Sequence, residues 1–203
     1  CSTMKRQEQA DLTRRNILSA ATELFTQKSF EDVSIAEITE QAKCSVGAFY
    51  GHFKSKQEVA TRVWVDAILD TIKRDTEGAR NITDKEDFVE YLLERAEAST
   101  VSLIMNDLRR YCFLTDDDYT ELLTYSLRYQ SLIKNMLAVN SPGVPEETLW
   151  SYASVIHALL NTAAEKKERT TPLTSLTHDI LRKTILMIMD ACQKAQWKPM
   201  PEC

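Results

Sequence analysis

The chain has 203 residues, 43% of them apolar and 27% charged, and its 25 basic and 30 acidic side chains leave a formal net charge of −5. That length allows one domain, or two small ones sharing a core, and the composition is that of a folded chain rather than a disordered one. Four glycines and five prolines are too few for the turns of an all-β fold, and the apolar run Ile185-Leu186-Met187-Ile188-Met189 is far short of the roughly 20 residues that cross a bilayer.

All five prolines lie at or beyond Pro142, so the preceding chain has no proline break and an all-α fold of about nine helices is expected. The first eight residues are polar, and no secretory leader is expected there. Cys1, Cys44, Cys112, Cys192 and Cys203 are scattered with no CxxC pair, which points to reduced thiols and a cytoplasmic protein. Two readings stand for Cys112, a redox-sensing thiol and a buried inert one. Residues 1–56 carry eight Lys/Arg and seven Asp/Glu, whereas residues 57–203 carry seventeen and twenty-three. An acidic protein meets an acidic partner through a local basic surface, so a nucleic-acid site belongs in the first 56 residues.

In chain order, Ile17, Leu18, Ala21, Leu24 and Phe25 recur at helical spacing between Leu12 and Gln27. Phe30 is the one apolar residue of the stretch that follows, a plug closing the end of that helix. Ser34-Ile35-Ala36-Glu37 is a capping box, and it opens a short helix with Ile35, Ile38 and Ala42 on one face. Lys43-Cys44-Ser45 makes a tight break. A third short helix, Val46 to His52, turns Phe49 inward, with Phe53 just beyond its end. A second capping box, Ser55 to Glu58, starts a long helix. Two short helices about three residues apart form a helix-turn-helix arrangement, whose second helix must be exposed on one face to enter a major groove about 12 Å wide. Phe49 and Phe53 pin that helix, while Ser45, Val46, Ala48, Tyr50 and His52 face outward. Gly47 allows close approach to a phosphate or base edge. Lys54 and Lys56 are placed to neutralise phosphates, and the helix start at Ser34 offers free amides to another.

The run from Ser34 to Lys56 resembles the DNA-binding signature of TetR-family transcriptional repressors, most specifically in the G-x-x-Y-x-H-F-x-x-K spacing of Gly47, Tyr50, His52, Phe53 and Lys56. The likeness covers residues 12–60. It departs from the family at Thr39 for the usual Ala, Lys43 for Gly and Cys44 for Val. Lys43 must hold a backbone that normally favours glycine, at a cost of about 1 kcal/mol, but it adds a charge near the DNA. The resemblance implies phosphate contacts from Ser34, Tyr50, His52 and Lys56. It implies base-edge or groove contacts from Ser45, Val46, Gly47 and Ala48. It further implies a DNA-binding domain over 1–56, an effector-binding and dimerisation domain over 57–203, and a homodimer on a palindromic operator of double-stranded DNA, released when a small molecule binds.

Six more helices are predicted, roughly over 56–77, 84–98, 100–114, 116–139, 145–169 and 174–196, with a capping box at Thr83-Asp84-Lys85-Glu86 and the last helix opening near Thr171-Pro172. Nine of the sixteen aromatic residues fall between Phe88 and Tyr152. Periodicity alone leaves core and cavity open; the resemblance implies a cage around an effector, and tyrosines near Arg109, Arg110 and Arg128 suit an aromatic or anionic one. The residues nominated for it are Trp64, Phe88, Tyr111, Tyr125, Arg128, Tyr129, His157 and Asn161. Small residues of the last two helices (Ala153, Ala158, Ala163, Ala164, Ala191 and Ala195) accompany a broad apolar stripe, and in the family the equivalent pair joins two copies.

Two other function classes have less support. An enzyme would have to work with His52, His157 and His178, none in a metal-binding spacing, and no glycine-rich phosphate loop is present. Asp116-Asp117-Asp118 reads as a helix start compensating the dipole rather than a metal site, and no cofactor is expected. A helical carrier that has lost DNA binding has only Lys43 and Gly51 in its favour.

Overall fold

The computed structural model describes residues 2–98, 108–165 and 177–195. Among them are eight helices and no strand: α1 Ser2–Gln27, α2 Ile35–Gln41, α3 Val46–His52, α4 Lys56–Ala79, α5 Lys85–Ala98, α6 Asp116–Asn140, α7 Glu146–Glu165 and α8 His178–Lys194. The all-α expectation holds.

Several predicted boundaries move, each because a different side chain takes the cap. The cap before α5 is Asp84, whose carboxylate accepts from the Asp87 amide at 3.0 Å, and not Thr83. Of the predicted helix over 100–114, residues 100–107 lie outside the described residues and 110–115 are turn and irregular chain. The amides of Tyr111 and Cys112 both close on the Leu108 carbonyl. Thr115 then caps α6 reciprocally with Asp118: the Asp118 amide donates to Thr115 Oγ1 at 3.2 Å and the Thr115 amide to Asp118 Oδ2 at 2.9 Å. Residues 171–176 also lie outside the described residues; α8 begins at His178 behind a Thr177 cap, later than predicted.

The chain packs as two units, Cys1–Leu69 with Leu103–Thr120, and Asp70–Ser102 with Glu121–Cys203, where the sequence reading places a single division after residue 56. In the first unit Ile17, Ala20, Ala21, Leu24 and Phe25 of α1 follow the i, i+3, i+4 rhythm and close on Ile38, Phe49, Phe53, Val59 and Val63, with Leu108 in the same core. Phe30 plugs this core as expected, buried with its ring 5.8 Å from Phe25. The second unit is built on Phe88, Leu92 and Leu93 of α5, Ile133 and Leu137 of α6, Ala153, Ile156 and Leu160 of α7, and Leu181 and Ile185 of α8. Ion pairs join α5 to α8 around that core: Lys85 to Asp190 at 2.6 Å, and Glu90 to both Arg182 at 2.9 Å and His178 at 2.8 Å.

Candidate nucleic-acid interface and effector cleft

The capping box predicted at Ser34 is complete: Ser34 Oγ accepts from the Glu37 amide at 3.2 Å, and Glu37 Oε2 accepts from the Ser34 amide at 2.9 Å. Lys28 adds an ion pair to Glu37 at 2.6 Å, and this contact with the Ser34 bonds lowers the Glu37 carboxyl to about 2. Glu37 thus carries a fixed negative charge at the start of α2. Thr39, in place of the family's alanine, is buried, and its hydroxyl donates back to the Ala36 carbonyl at 2.9 Å, so the extra polar atom is satisfied.

The turn into α3 is made by Lys43 at φ 55, the left-handed conformation anticipated for it. Ser45 caps α3, accepting from the Ala48 amide at 3.0 Å. Phe49 and Phe53 are buried, and Phe49 also meets the edge of Tyr50 at 5.4 Å. The opposite face is open: Tyr50 is 55% exposed and Val46 47%. No atom comes within 4 Å of a Cβ built at Gly51, and at Gly47 the nearest lies at 3.8 Å. Ala48 and His52 sit half-buried on the flank, and Ser34 and Ser45 are exposed. This face is a shallow apolar and aromatic ridge flanked by small residues, shaped to press against a flat or grooved surface.

The sequence places Lys54 and Lys56 at phosphates and Lys43 near the DNA, and the three differ. Lys43 and Lys54 are exposed, and neither ammonium has a carboxylate partner among the described residues. Lys56 is turned the other way, a correction to the sequence reading. Its ammonium donates to the Phe30 carbonyl at 2.7 Å and the Val33 carbonyl at 2.6 Å, and it lies 4.2 Å over the Phe30 ring. Burial pushes the Lys56 pKa down, opposed by Glu31, Asp32 and Glu37. Two orphan carbonyls in the loop after α1 recruit this cation, and no sequence pattern announces them.

Residues 17–63 match the family described as "Bacterial regulatory proteins, tetR family", a span that takes in the whole of α2, the Lys43 turn and α3. That segment is similar to the DNA-binding head of this family. The chain is 37% identical over 60 residues to the HTH-type transcriptional regulator AcrR of Shigella flexneri, covering 30% of this chain and 28% of that one. It is 36% identical over 76 residues to the A-factor receptor protein of Streptomyces griseus, covering 37% and 27%. The matched region therefore spans under a third of either relative's length. A transcriptional regulator from Aquifex aeolicus VF5 has the same fold over 87% of this chain and 99% of its own, with a TM-score of 0.55 at 23% identity.

Beyond the matched segment, the nominated effector residues scatter. Trp64 and Tyr111 belong to the first unit. Trp64 packs on its core, and Tyr111 stacks on Phe30 at 4.1 Å while its hydroxyl donates to Glu31 at 3.0 Å. Tyr111 is therefore a wedge in the head, where sequence reading makes it a cavity wall. In the second unit Tyr129 is buried beside the half-buried His157, ring to ring at 5.3 Å, and His157 Nδ1 lies 3.1 Å from Gln130 Nε2. Burial lowers the His157 pKa and raises that of Tyr129, so both are neutral packing residues near neutral pH. Asn161 is exposed.

Phe88 and Arg128 of the nominated set line one cavity, an open cleft of about 430 Å³ between the end of α4, the start of α5 and the second half of α6. Tyr125 adjoins it by stacking under Arg128, whose guanidinium carbon is 5.0 Å from the ring centre. Arg80 lines the same cleft and escapes the sequence reading, because one arginine past a helix end has no periodicity to mark it. Cys112 is half-buried with its thiol pKa raised by burial, which favours the inert reading over the redox one. Asp118 is used as the α6 cap and lies 3.7 Å from Arg62; among the described residues no group of three metal-ligating side chains assembles.

Proposed function

We propose that this chain is a ligand-responsive transcriptional repressor that binds double-stranded DNA as a homodimer, each copy laying α3 in the major groove of one half of a palindromic operator. The observation that carries this reading is the outward face of α3, where Val46 and Tyr50 stand exposed on a helix pinned by the buried Phe49 and Phe53. Ser45, Val46, Gly47 and Ala48 meet base edges, and Ser34, Tyr50, His52, Lys43 and Lys54 meet the backbone. Lys56 supports the loop behind them. One seven-residue helix offers too few contacts for a unique site, so two copies are required. Exposed Val155 and Ala158 on α7, with Ile180, Met187 and Ala191 on α8, supply the apolar stripe for the second copy. Ala153 and Ala163 are already spent in their own core.

A relative bearing the name of a receptor protein supports a small-molecule effector, and the cleft lined by Phe88 and Arg128 is where it binds. Its occupancy biases α4 and α6, both of which contribute residues to each unit, and so lowers operator affinity. No described helix is long and apolar enough to cross a membrane, and a regulator of this kind works in the cytoplasm beside the chromosome. The decisive experiment is a gel shift with the DNA upstream of the protein's own gene. Salt-sensitive binding to a palindrome there, lost on Tyr50→Ala with an unchanged circular dichroism spectrum, is the expected result. A helical carrier would show no such binding, and neither would an enzyme.

A further inference from the structure

The cleft of the second unit has an unusual lining. It is lined by the apolar Ile82, Phe88, Leu132 and Met136 and by the exposed Arg80 and Arg128, and no acidic side chain lines it. Neither guanidinium has a carboxylate partner among the described residues, although the chain as a whole carries five more acidic than basic groups. The arginines at 62, 95 and 182 are all paired with carboxylates. Two guanidinium groups without a carboxylate partner in an otherwise uncharged, largely apolar lining make a mixed recognition surface: the guanidinium groups offer forked donors to a planar anion, and the apolar side chains bury hydrocarbon. Ser131 and Asn135 stand on the same α6 face as Arg128 and add neutral hydrogen-bonding groups for a second oxygen. At roughly 30 Å³ per water-sized group, about 430 Å³ has room for about fourteen such groups. That is the size of a medium-chain acid.

We infer that this cleft binds an amphipathic carboxylate, its head group held by Arg80 and Arg128 and its hydrocarbon chain laid along Ile82, Phe88, Leu132 and Met136. The inference names the ligand class of the proposed effector site and rests on the regulator reading for its biological sense. Its binding is measured without DNA. A neutral molecule of the same shape would leave both guanidinium groups facing its chain, and a small inorganic anion would leave the apolar side chains uncovered.

The test is isothermal titration of the full chain with octanoate and with 1-octanol, its neutral counterpart. The expected result is that octanoate binds at least tenfold more tightly. Arg80→Gln and Arg128→Gln should each weaken octanoate at least fivefold and leave 1-octanol unchanged, and Arg128→Lys should restore part of the loss. Asn135→Trp, which fills the cleft from an exposed position, should abolish both. Equal affinity for acid and alcohol, no octanoate binding, or octanoate binding indifferent to the arginine or tryptophan changes would overturn the inference. All these positions except Phe88 and its apolar neighbours are at the surface, and circular dichroism checks that each variant folds. Operator binding is scored separately. A chain that binds DNA but not octanoate refutes this site alone, and one that binds octanoate but no DNA refutes the regulator reading alone.

Discussion

Lys56 and Lys54 stand two residues apart and are assigned opposite duties, which makes them a sharp pair to perturb. In Lys56→Met the aliphatic stem stays and only the ammonium is lost. That ammonium makes two bonds, at 2.7 and 2.6 Å, to the Phe30 and Val33 carbonyls. A hydrogen bond with one charged partner counts for about 1.5–3 kcal/mol, and a cation 4.2 Å over the Phe30 ring adds about 1 kcal/mol. The burial that depresses the Lys56 pKa opposes part of this gain. The expected net loss is about 2–4 kcal/mol, or roughly 5–12 °C in Tm for a chain of this size. Lys54→Met removes an exposed ammonium without a carboxylate partner, so stability should stay within about 0.5 kcal/mol of the parent. Its effect belongs to DNA binding: the plot of log affinity against log salt should flatten by about 0.9 for each phosphate left without its cation. Thermal unfolding and salt-dependent gel shifts on both variants separate the two cases. If Lys56→Met leaves unfolding untouched and flattens the salt plot, the ammonium leaves its carbonyls for phosphate and the reasoning fails.

Three further expectations follow from packing and charge. A Cβ at Gly78 would lie 2.0 Å from Tyr91 Oη and 2.8 Å from Cζ, so Gly78→Ala should lower stability by about 1–3 kcal/mol; Gly51→Ala, with nothing within 4 Å, should raise it by about 0.5–1 kcal/mol in a urea titration. His178 has its pKa raised above 6.5 by Glu97 and then Glu90, with burial opposing. Its protonated form therefore stabilises the fold fully below pH 6.5, and that contribution fades as pH rises through the raised value. Tm measured from pH 5.5 to 8.5 should show this decline in the parent but not in His178→Gln; parallel curves would count against the pairing. Val155→Glu with Met187→Glu should turn the proposed dimer into a monomer by light scattering and weaken the proposed operator binding at least tenfold, because each charge sits on the exposed stripe.

The head was legible because its signals are local. Ser34 and Glu37 three residues apart, and Phe49 with Phe53 one turn on, act over distances that a reader of the chain can see. Lys43 could be assigned its left-handed backbone because the signature that this segment resembles has glycine there. What escaped was non-local or competitive. Lys56 finds partners 26 and 23 residues away, and Tyr111 finds Glu31 across 80. At the start of α5, Thr83 and Asp84 both qualify as caps, and only the folded geometry selects Asp84. Tyr129 and Arg128 are adjacent on α6, yet one is core and the other lines the cleft, since a helix turns successive residues to different neighbours.

The stacking of Tyr111 on Phe30, the seating of Leu108 in the first core and the Phe113 amide bound to Thr61 at 3.2 Å mean that the head is stitched from two separate lengths of chain. Engineers who build hybrid regulators by exchanging N-terminal segments would here be transplanting an incomplete part. A graft ending near residue 69 strips Phe30 of its facing ring and Thr61 of its guest amide. A faithful exchange has to carry the later strip of residues 108–118 along with the first, two inserts in one splice.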